Sequence, residues 1–240
     1  MCFDISSTKI NKLVKKNQNA TFYKDFNYEP FFHYNGFLHP TVSIIKLGQP
    51  KTIYPSTWGL VPDWGLDDIS SFRKKYNTLN AKSETLFTSN MYRESALDKR
   101  CLIIADGFFE PHRSYDESIP YYCYIPSSEF QDGRDVFVFA GIYNELNNTS
   151  SCSILTTEAN DFFSEIHNVR KRMPIVLDEG LKGEWLNEKL NKNQIAEIMK
   201  EGFTKKEFKA HSVSKALYHK KSNTNISSIL DQVIYNTLFD

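Results

Sequence analysis

The sequence predicts an α+β fold: a single domain over residues 1–240, built on a mixed, mostly antiparallel, barrel-like β-sheet with peripheral helices. Three observations carry this. Strand-like runs recur from residue 42 to near the C-terminal end, with helical spacing between only some of them. Their order is not a regular strand–helix alternation, so a doubly wound parallel sheet is disfavoured. No internal repeat or low-complexity linker divides the 240 residues, a length that can bury one substantial core.

The elements follow in order. Leu13 and Val14 follow Ile10 by three and four in a Lys-rich stretch, which predicts a short amphipathic helix capped by Ser7 or Thr8. Val42 to Leu47 reads as a buried strand, and Thr52 to Trp58 as a second extended run after a turn at Gly48 to Pro50. Residues 66–78 read as a polar loop with a basic cluster, Arg73, Lys74 and Lys75. Asn80 to Thr85 reads as a loop entering a helix through Leu86, Phe87 and Met91. Arg100 to Glu110 reads as one hydrophobic strand ending at an acidic residue, with Pro111 stopping further pairing. Strands are expected at Tyr121 to Ile125, Val136 to Gly141, Cys152 to Thr156 and Ile175 to Leu177. A helix is expected over Glu158 to Ile166, with two more around Trp185 and around Ile195 to Met199. Strands near Phe208 to Val213 and near Val233 and Ile234 close the chain.

Composition narrows the function classes. Hydrophobic residues make up 40% and charged residues 24%, as in ordinary globular proteins. The aromatic share, 14%, suits both β-structure and base-stacking surfaces. With a formal net charge of zero, any polyanion must be met by a local patch. Cys2, Cys101, Cys123 and Cys152 are scattered, which indicates neither a zinc site nor a disulfide framework. A reducing compartment follows. The first residues lack the apolar core of a signal peptide, and no run is long enough to span a bilayer. The expectation is a cytoplasmic, nucleoid-associated monomer needing no metal or cofactor.

Chemistry is suggested first by Met1-Cys2. Removal of Met1 would leave Cys2 with a free α-amine next to its thiol. That pair condenses with an aldehyde to an imine and then closes to a thiazolidine, which an internal cysteine cannot do. Reference pKa values of about 7.7–8.0 for the amine and about 8.5 for the thiol put both within modest tuning of neutrality. The bland alternative is an inert cysteine behind a retained Met1. Glu110, a carboxylate beside aromatic residues, is placed for a raised pKa suited to proton transfer. Trp58 and Trp64 flank a Gly/Pro-bearing turn, as packed core or as an aromatic shelf for an unstacked base. His167 precedes a basic cluster, Arg170, Lys171 and Arg172, which would suit a phosphate if it faces a groove.

These motifs occur together and in order: Met1-Cys2, Trp58-Gly59-Leu60-Val61-Pro62, Asn80-Ala81-Lys82-Ser83-Glu84-Thr85, Cys101 through Asp106-Gly107-Phe108-Phe109-Glu110, Gly141, Thr156-Thr157-Glu158-Ala159-Asn160, and His167 with Arg172-Met173-Pro174. The set resembles the SOS response-associated peptidase family, the SRAP domain, over essentially the whole chain. The resemblance implies loss of Met1 by self-cleavage. It also implies capture of abasic sites in single-stranded DNA as a thiazolidine crosslink, with Cys2, Asn80, Glu110 and His167 as catalytic residues. Trp58, Trp64, Lys82, Thr85, Arg170, Lys171 and Arg172 would then meet the DNA. Phe3 and Asp4 stand where the family commonly has Gly and Arg, Lys82 where it has Arg, and Pro111 where it has Trp. The spacing from His167 to Arg172 is longer than in many members. Two readings from other classes stand beside this one: a thiol peptidase acting on other proteins through Cys2 and His167, and a non-catalytic single-strand binding module.

Overall fold

In the computed structural model, residues 2–11, 20–24, 26–201, 205–219 and 222–235 are described. β1 (Asp4–Ser7), β2 (Thr21–Phe22) and β3 (Phe31–Asn35) are followed by β4 (Thr41–Lys46) and β5 (Thr52–Trp58). Helix α1 (Ile69–Lys75), β6 (Asn80–Lys82) and α2 (Ser95–Asp98) lead to β7 (Arg100–Ala105), β8 (Gly107–Ser114) and β9 (Glu117–Tyr124). A hairpin of β10 (Phe137–Leu146) and β11 (Thr149–Glu158) comes next, then α3 (Asp161–Ile166) and β12 (Arg172–Pro174). Helices α4 (Glu179–Trp185) and α5 (Lys192–Glu201) and strand β13 (Lys209–Ser212) complete the order.

The strands form two sheets. One runs β13-β9-β8-β1-β3. In the other, β11-β10-β7-β4-β5 closes on itself through a parallel β5–β11 pairing, giving a five-strand barrel, with β12 and β2 continuing beyond it. The fold is therefore α+β on a mixed sheet, as the sequence predicts. Among the described residues, parallel pairing is confined to β2 with β5, β5 with β11 and β6 with β11.

The six residues of β7 are all buried, because the strand separates two cores. Successive side chains point to opposite faces of a strand. Cys101, Ile103 and Ala105 accordingly join the core that holds Cys2, Ile5, Trp58 and Phe108. Leu102 and Ile104 join the core covered by Trp185 of α4 and by Ile195, Ile198 and Met199 of α5. Each fully buried aliphatic or aromatic side chain here stabilises the fold by roughly 1.5–3 kcal/mol relative to exposure.

Several expectations are corrected. Residues 66–78 are not all loop: Asp68 accepts a hydrogen bond from the Ser71 amide at 2.9 Å and caps α1, which buries Phe72. With only Ile69 and Phe72 apolar in seven residues, its periodicity is too weak to read. Asn80 is the first residue of a strand, not of a loop, and no α-helix follows until Ser95. Arg100 to Glu110 is two strands, broken at Asp106, so Glu110 lies within β8 and is buried. Pro111 does not end the pairing. It faces Pro120 across the β8–β9 ladder. Two prolines can oppose each other only at a pair that exchanges no N–H bonds, so neither missing donor is felt. Near Val233 and Ile234 there is no strand; the Val233 amide bonds the Ser212 carbonyl at 2.9 Å. Leu13 and Val14 of the expected N-terminal helix lie outside the described residues. No described helix is long and apolar enough to cross a membrane.

The break at Asp106 fixes β1. The buried Asp106 carboxylate accepts from Ser6 Oγ at 2.6 Å and from the Thr8 amide at 2.8 Å, with the Thr8 hydroxyl also bound and Lys9 Nζ at 3.5 Å. Gly107 follows because a Cβ there would collide with the Tyr122 ring. Asp106→Ala should destabilise the chain by about 3 kcal/mol, since it strands buried donors. Urea unfolding checks this; a loss below about 1 kcal/mol would show that the anchor is dispensable.

Candidate active site

β1 lies between β3 and β8, with Asp4 opposite Phe109 and Ile5 opposite Phe108. Continued by two residues, that antiparallel register carries Phe3 and Cys2 past Glu110 and Pro111. The Cys2 carbonyl accepts from Asn80 Nδ2 at 2.8 Å. Asn80 is itself placed by β6, which pairs with β11 and sets Asn80 opposite Ile154. Its backbone carbonyl receives the Tyr92 hydroxyl at 3.0 Å, and its side-chain Oδ1 is buried with no hydrogen-bond partner.

His167 caps the C-terminal end of α3, which begins at Asn160 capping the Phe163 amide. Its Nδ1 stands 3.0 Å from the Arg172 carbonyl oxygen and 3.4 Å from Glu110 Oε2. A carbonyl can only accept, so Nδ1 carries the proton and Nε2 is the acceptor of the neutral ring. Thus Asn80, Glu110 and His167, from three separate elements, converge on the beginning of the chain.

Burial governs the ionisation of this group. It pushes the Glu110 carboxyl up to about 7, with the nearby Asp4 charge adding. It pushes the His167 imidazole down to about 4, Arg170 adding to the effect. Glu110 and His167 therefore stand 3.4 Å apart near neutral pH as weakly charged neighbours rather than a fixed ion pair. While Met1 is attached, the Cys2 thiol is not tuned to neutrality. Cys2 is wholly buried in the chain that carries Met1, and burial, then the Glu110 and Asp4 charges, hold its thiol well above the ordinary value. Ionisation of the sulfur in this state needs a base beside it.

A cleft of about 280 Å³ opens next to Asn80, lined by Phe3, Asn77, Asn80, Lys82, Thr85 and Tyr92. Lys82 and Thr85 are exposed on its rim. Arg170 and Lys171 are exposed in the turn after His167, and Lys171 adopts a left-handed φ of 47°. Trp64 is half exposed and packs edge-on against Phe72 and Tyr76. Trp58 is no stacking surface. It is fully buried, with its indole N–H donated to the Leu79 carbonyl at 2.9 Å. Arg172 is no free phosphate ligand either. Its guanidinium is engaged by both Glu84 oxygens, at 2.7 and 3.0 Å, and by Thr156.

Sequence reasoning missed Phe3, Asn77 and Tyr92 as cleft walls and Glu84 as the partner of Arg172. Only Glu84 carried a signal, and capping explained it equally well. His112, close to Glu110 in sequence, is turned away to the Glu165 and Ile166 carbonyls at 3.0 and 3.2 Å.

Comparison with known proteins gives a consistent result. The family described as SOS response associated peptidase (SRAP) matches residues 1–219. The abasic site processing protein YoqW of Bacillus subtilis is 29% identical over 216 residues, covering 84% of this chain and 90% of that protein. YoaM of the same organism, which carries the same description, is 30% identical over 189 residues, covering 76% and 78%. A crystal structure of a protein from Bacteroides thetaiotaomicron superposes with a TM-score of 0.80 at 28% identity, covering 97% of this chain and all of the other. The match of motifs, fold and chain length places this protein in the SOS response associated peptidase (SRAP) family.

Proposed function

We propose that the protein processes abasic sites in single-stranded DNA by covalent capture through Cys2 after removal of Met1. The observation that carries this reading is the Asn80 hydrogen bond to the Cys2 carbonyl. It ties buried Cys2 to Asn80, which lines the cleft, and keeps it in the field of Glu110. The names of the relatives YoqW and YoaM support the choice of substrate.

The chemistry runs in balanced steps. Hydrolysis of the Met1–Cys2 bond consumes one water and frees the α-amine, with the neighbouring groups serving as the chain's own peptidase. The amine then adds to the C1′ aldehyde of the ring-opened abasic sugar, and loss of one water gives the imine. The Cys2 sulfur adds to the imine carbon while its proton passes to the imine nitrogen, closing the thiazolidine. Each step moves a proton, and a carboxyl with a pKa of about 7 can both take and return one near neutral pH. Glu110 is assigned that role. Asn80 Oδ1, buried without a partner, is assigned to accept from the new amine or from a sugar hydroxyl. His167, neutral, offers Nε2 as an acceptor for the opened sugar hydroxyl instead of acting as a cationic acid.

The cleft suits an unpaired sugar, not a stacked pair, and Lys82 and Thr85 on its rim suit the flanking phosphates. Arg170 and Lys171 extend the cationic edge beside His167, and Trp64 offers a ring face edge for an unstacked base. No step requires a metal or cofactor, or a second copy of the chain.

Incubation with single-stranded DNA bearing one abasic site should give a heat-stable shifted band with wild type and none with Cys2→Ala. Intact mass should show the purified chain lighter by one methionine residue. Equal bands from both proteins would end this reading.

The buried pair also predicts a pH signature. Folded Glu110 holds its proton to about 7 and an unfolded glutamate only to 4.5, so the folded state binds the extra proton and stability falls as pH rises between them. Folded His167 releases its proton at about 4 and an unfolded histidine at 6.5, so stability rises with pH across that window. The two slopes oppose each other in wild type. Glu110→Gln should leave only the rising limb and His167→Gln only the falling one, each on the order of 1–2 kcal/mol. Urea midpoints from pH 4 to 8, taken as differences from wild type, read this; parallel profiles for all three proteins would refute the assigned shifts.

A further inference from the structure

Arg172, the first residue of β12, joins three elements. Its Nη1 donates to Glu84 Oε1 at 2.7 Å, and its Nη2 to Glu84 Oε2 at 3.0 Å and to the Thr156 carbonyl at 2.8 Å. Glu84 sits in the short 3-10 turn Ser83–Thr85 directly after β6, the strand of Asn80. Thr156 belongs to β11, which pairs with β6 on one side and β12 on the other. The bidentate ion pair therefore ties the Asn80 strand to the His167 loop across the end of β11. A fork-on-fork pair of this kind fixes direction as well as distance.

The same residue also receives the His167 Nδ1 proton on its backbone carbonyl at 3.0 Å. The loop between them is short. Lys171 N bonds back to the His167 carbonyl at 2.9 Å, and Lys171 holds a left-handed φ of 47°. Its far end is set by Arg172. If the guanidinium were released, that carbonyl could turn away. The Nδ1 proton would then have Glu110 Oε2, at 3.4 Å, as its neighbour, or would move to Nε2. Either change alters what the imidazole offers a substrate.

We propose that Glu84, acting through Arg172, is a positioning residue for His167: the clamp locks the carbonyl that selects the Nδ1–H tautomer and so keeps Nε2 an acceptor. This assignment rests on the abasic-site reading for its catalytic consequence and on the geometry alone for its structural one. In the chain without DNA the same pair occupies the Arg172 guanidinium, on a side chain 12% exposed.

Nitrogen-15 spectra of the histidine rings in the full chain report the tautomer without DNA, so they test the clamp even if wild type forms no crosslink. That last result would count against the functional reading alone. Wild type should show His167 as the Nδ1–H form, and Glu84→Ala should bring its two ring signals together as the tautomers mix. At saturating abasic DNA the crosslinking rate of Glu84→Ala should fall about tenfold. Affinity for undamaged single strands, read in a Cys2→Ala background, should stay within about twofold. Glu84→Gln, which keeps a hydrogen bond to the guanidinium, should lie between and is the variant to read if Glu84→Ala melts. An unchanged His167 tautomer in a folded variant would overturn the proposal. So would lost affinity with an unchanged rate at saturation.

Discussion

A four-residue strand buried in the middle of a sheet is the constraint on which the site depends. β1 has β3 on one side and β8 on the other, and the chain start follows wherever that strand goes. Termini usually fray unless they are tied down. Here the tie is Asp106, which gathers Ser6, Thr8 and Lys9 around one buried carboxylate. An isolated buried charge would be costly; several donors and a cation offset that cost and convert it into positional specificity. A slip of β1 by one residue would turn Ile5 out of the core and swing Cys2 away from Glu110.

The electrostatics of the site follow from the same burial. Glu110 and His167 are pushed in opposite directions, one keeping its proton and the other losing it. Two titratable groups with values driven apart make an acid–base pair that works near neutrality without a full buried charge. The thiol, pushed upward, gains nothing from its surroundings until a base acts on it. A thiol peptidase acting on other proteins would want an imidazole beside an accessible sulfur. Here the sulfur is covered and bonds the Asp4 carbonyl at 3.8 Å.

Much of the fold was legible because its strands are apolar runs bounded by turn residues. Thr52 to Trp58 has the same bounds in the structure, and Val42 to Leu47 is displaced by one residue. What escaped was decided by distant contacts. Asp106 breaks one apparent strand into two because its carboxylate is needed by β1, 100 residues away. Asn80 looks like a loop residue by propensity, yet pairing with β11 makes it a strand. Motif order pointed to Cys2, Asn80, Glu110 and His167 as candidates, but not to the bonds among them. Glu84 could have been a cap, and Arg172 a phosphate ligand, until the geometry joined them.

Asp4 shows how a local departure can be absorbed. The resemblance to the family leads one to expect Arg at this position, where it would meet a phosphate. In this chain the Asp4 carboxylate points inward, accepting from His33 Nε2 at 2.9 Å and from Asn35 Nδ2 at 2.8 Å. His33 continues to the Thr224 hydroxyl at 2.7 Å, and the Phe32 amide bonds Asn225 Oδ1 at 2.8 Å. The N-terminal arm is thus held by the C-terminal segment, in contacts that lie past the residues matched by the family. Ile229 and Leu230 of that segment pack on Phe109, on the opposite face of β8 from Glu110. The negative charge at position 4 raises both the Cys2 thiol and the Glu110 carboxyl. With an acid instead of a base at position 4, the residue acts on the proton inventory of the site, through the Cys2 thiol and the Glu110 carboxyl.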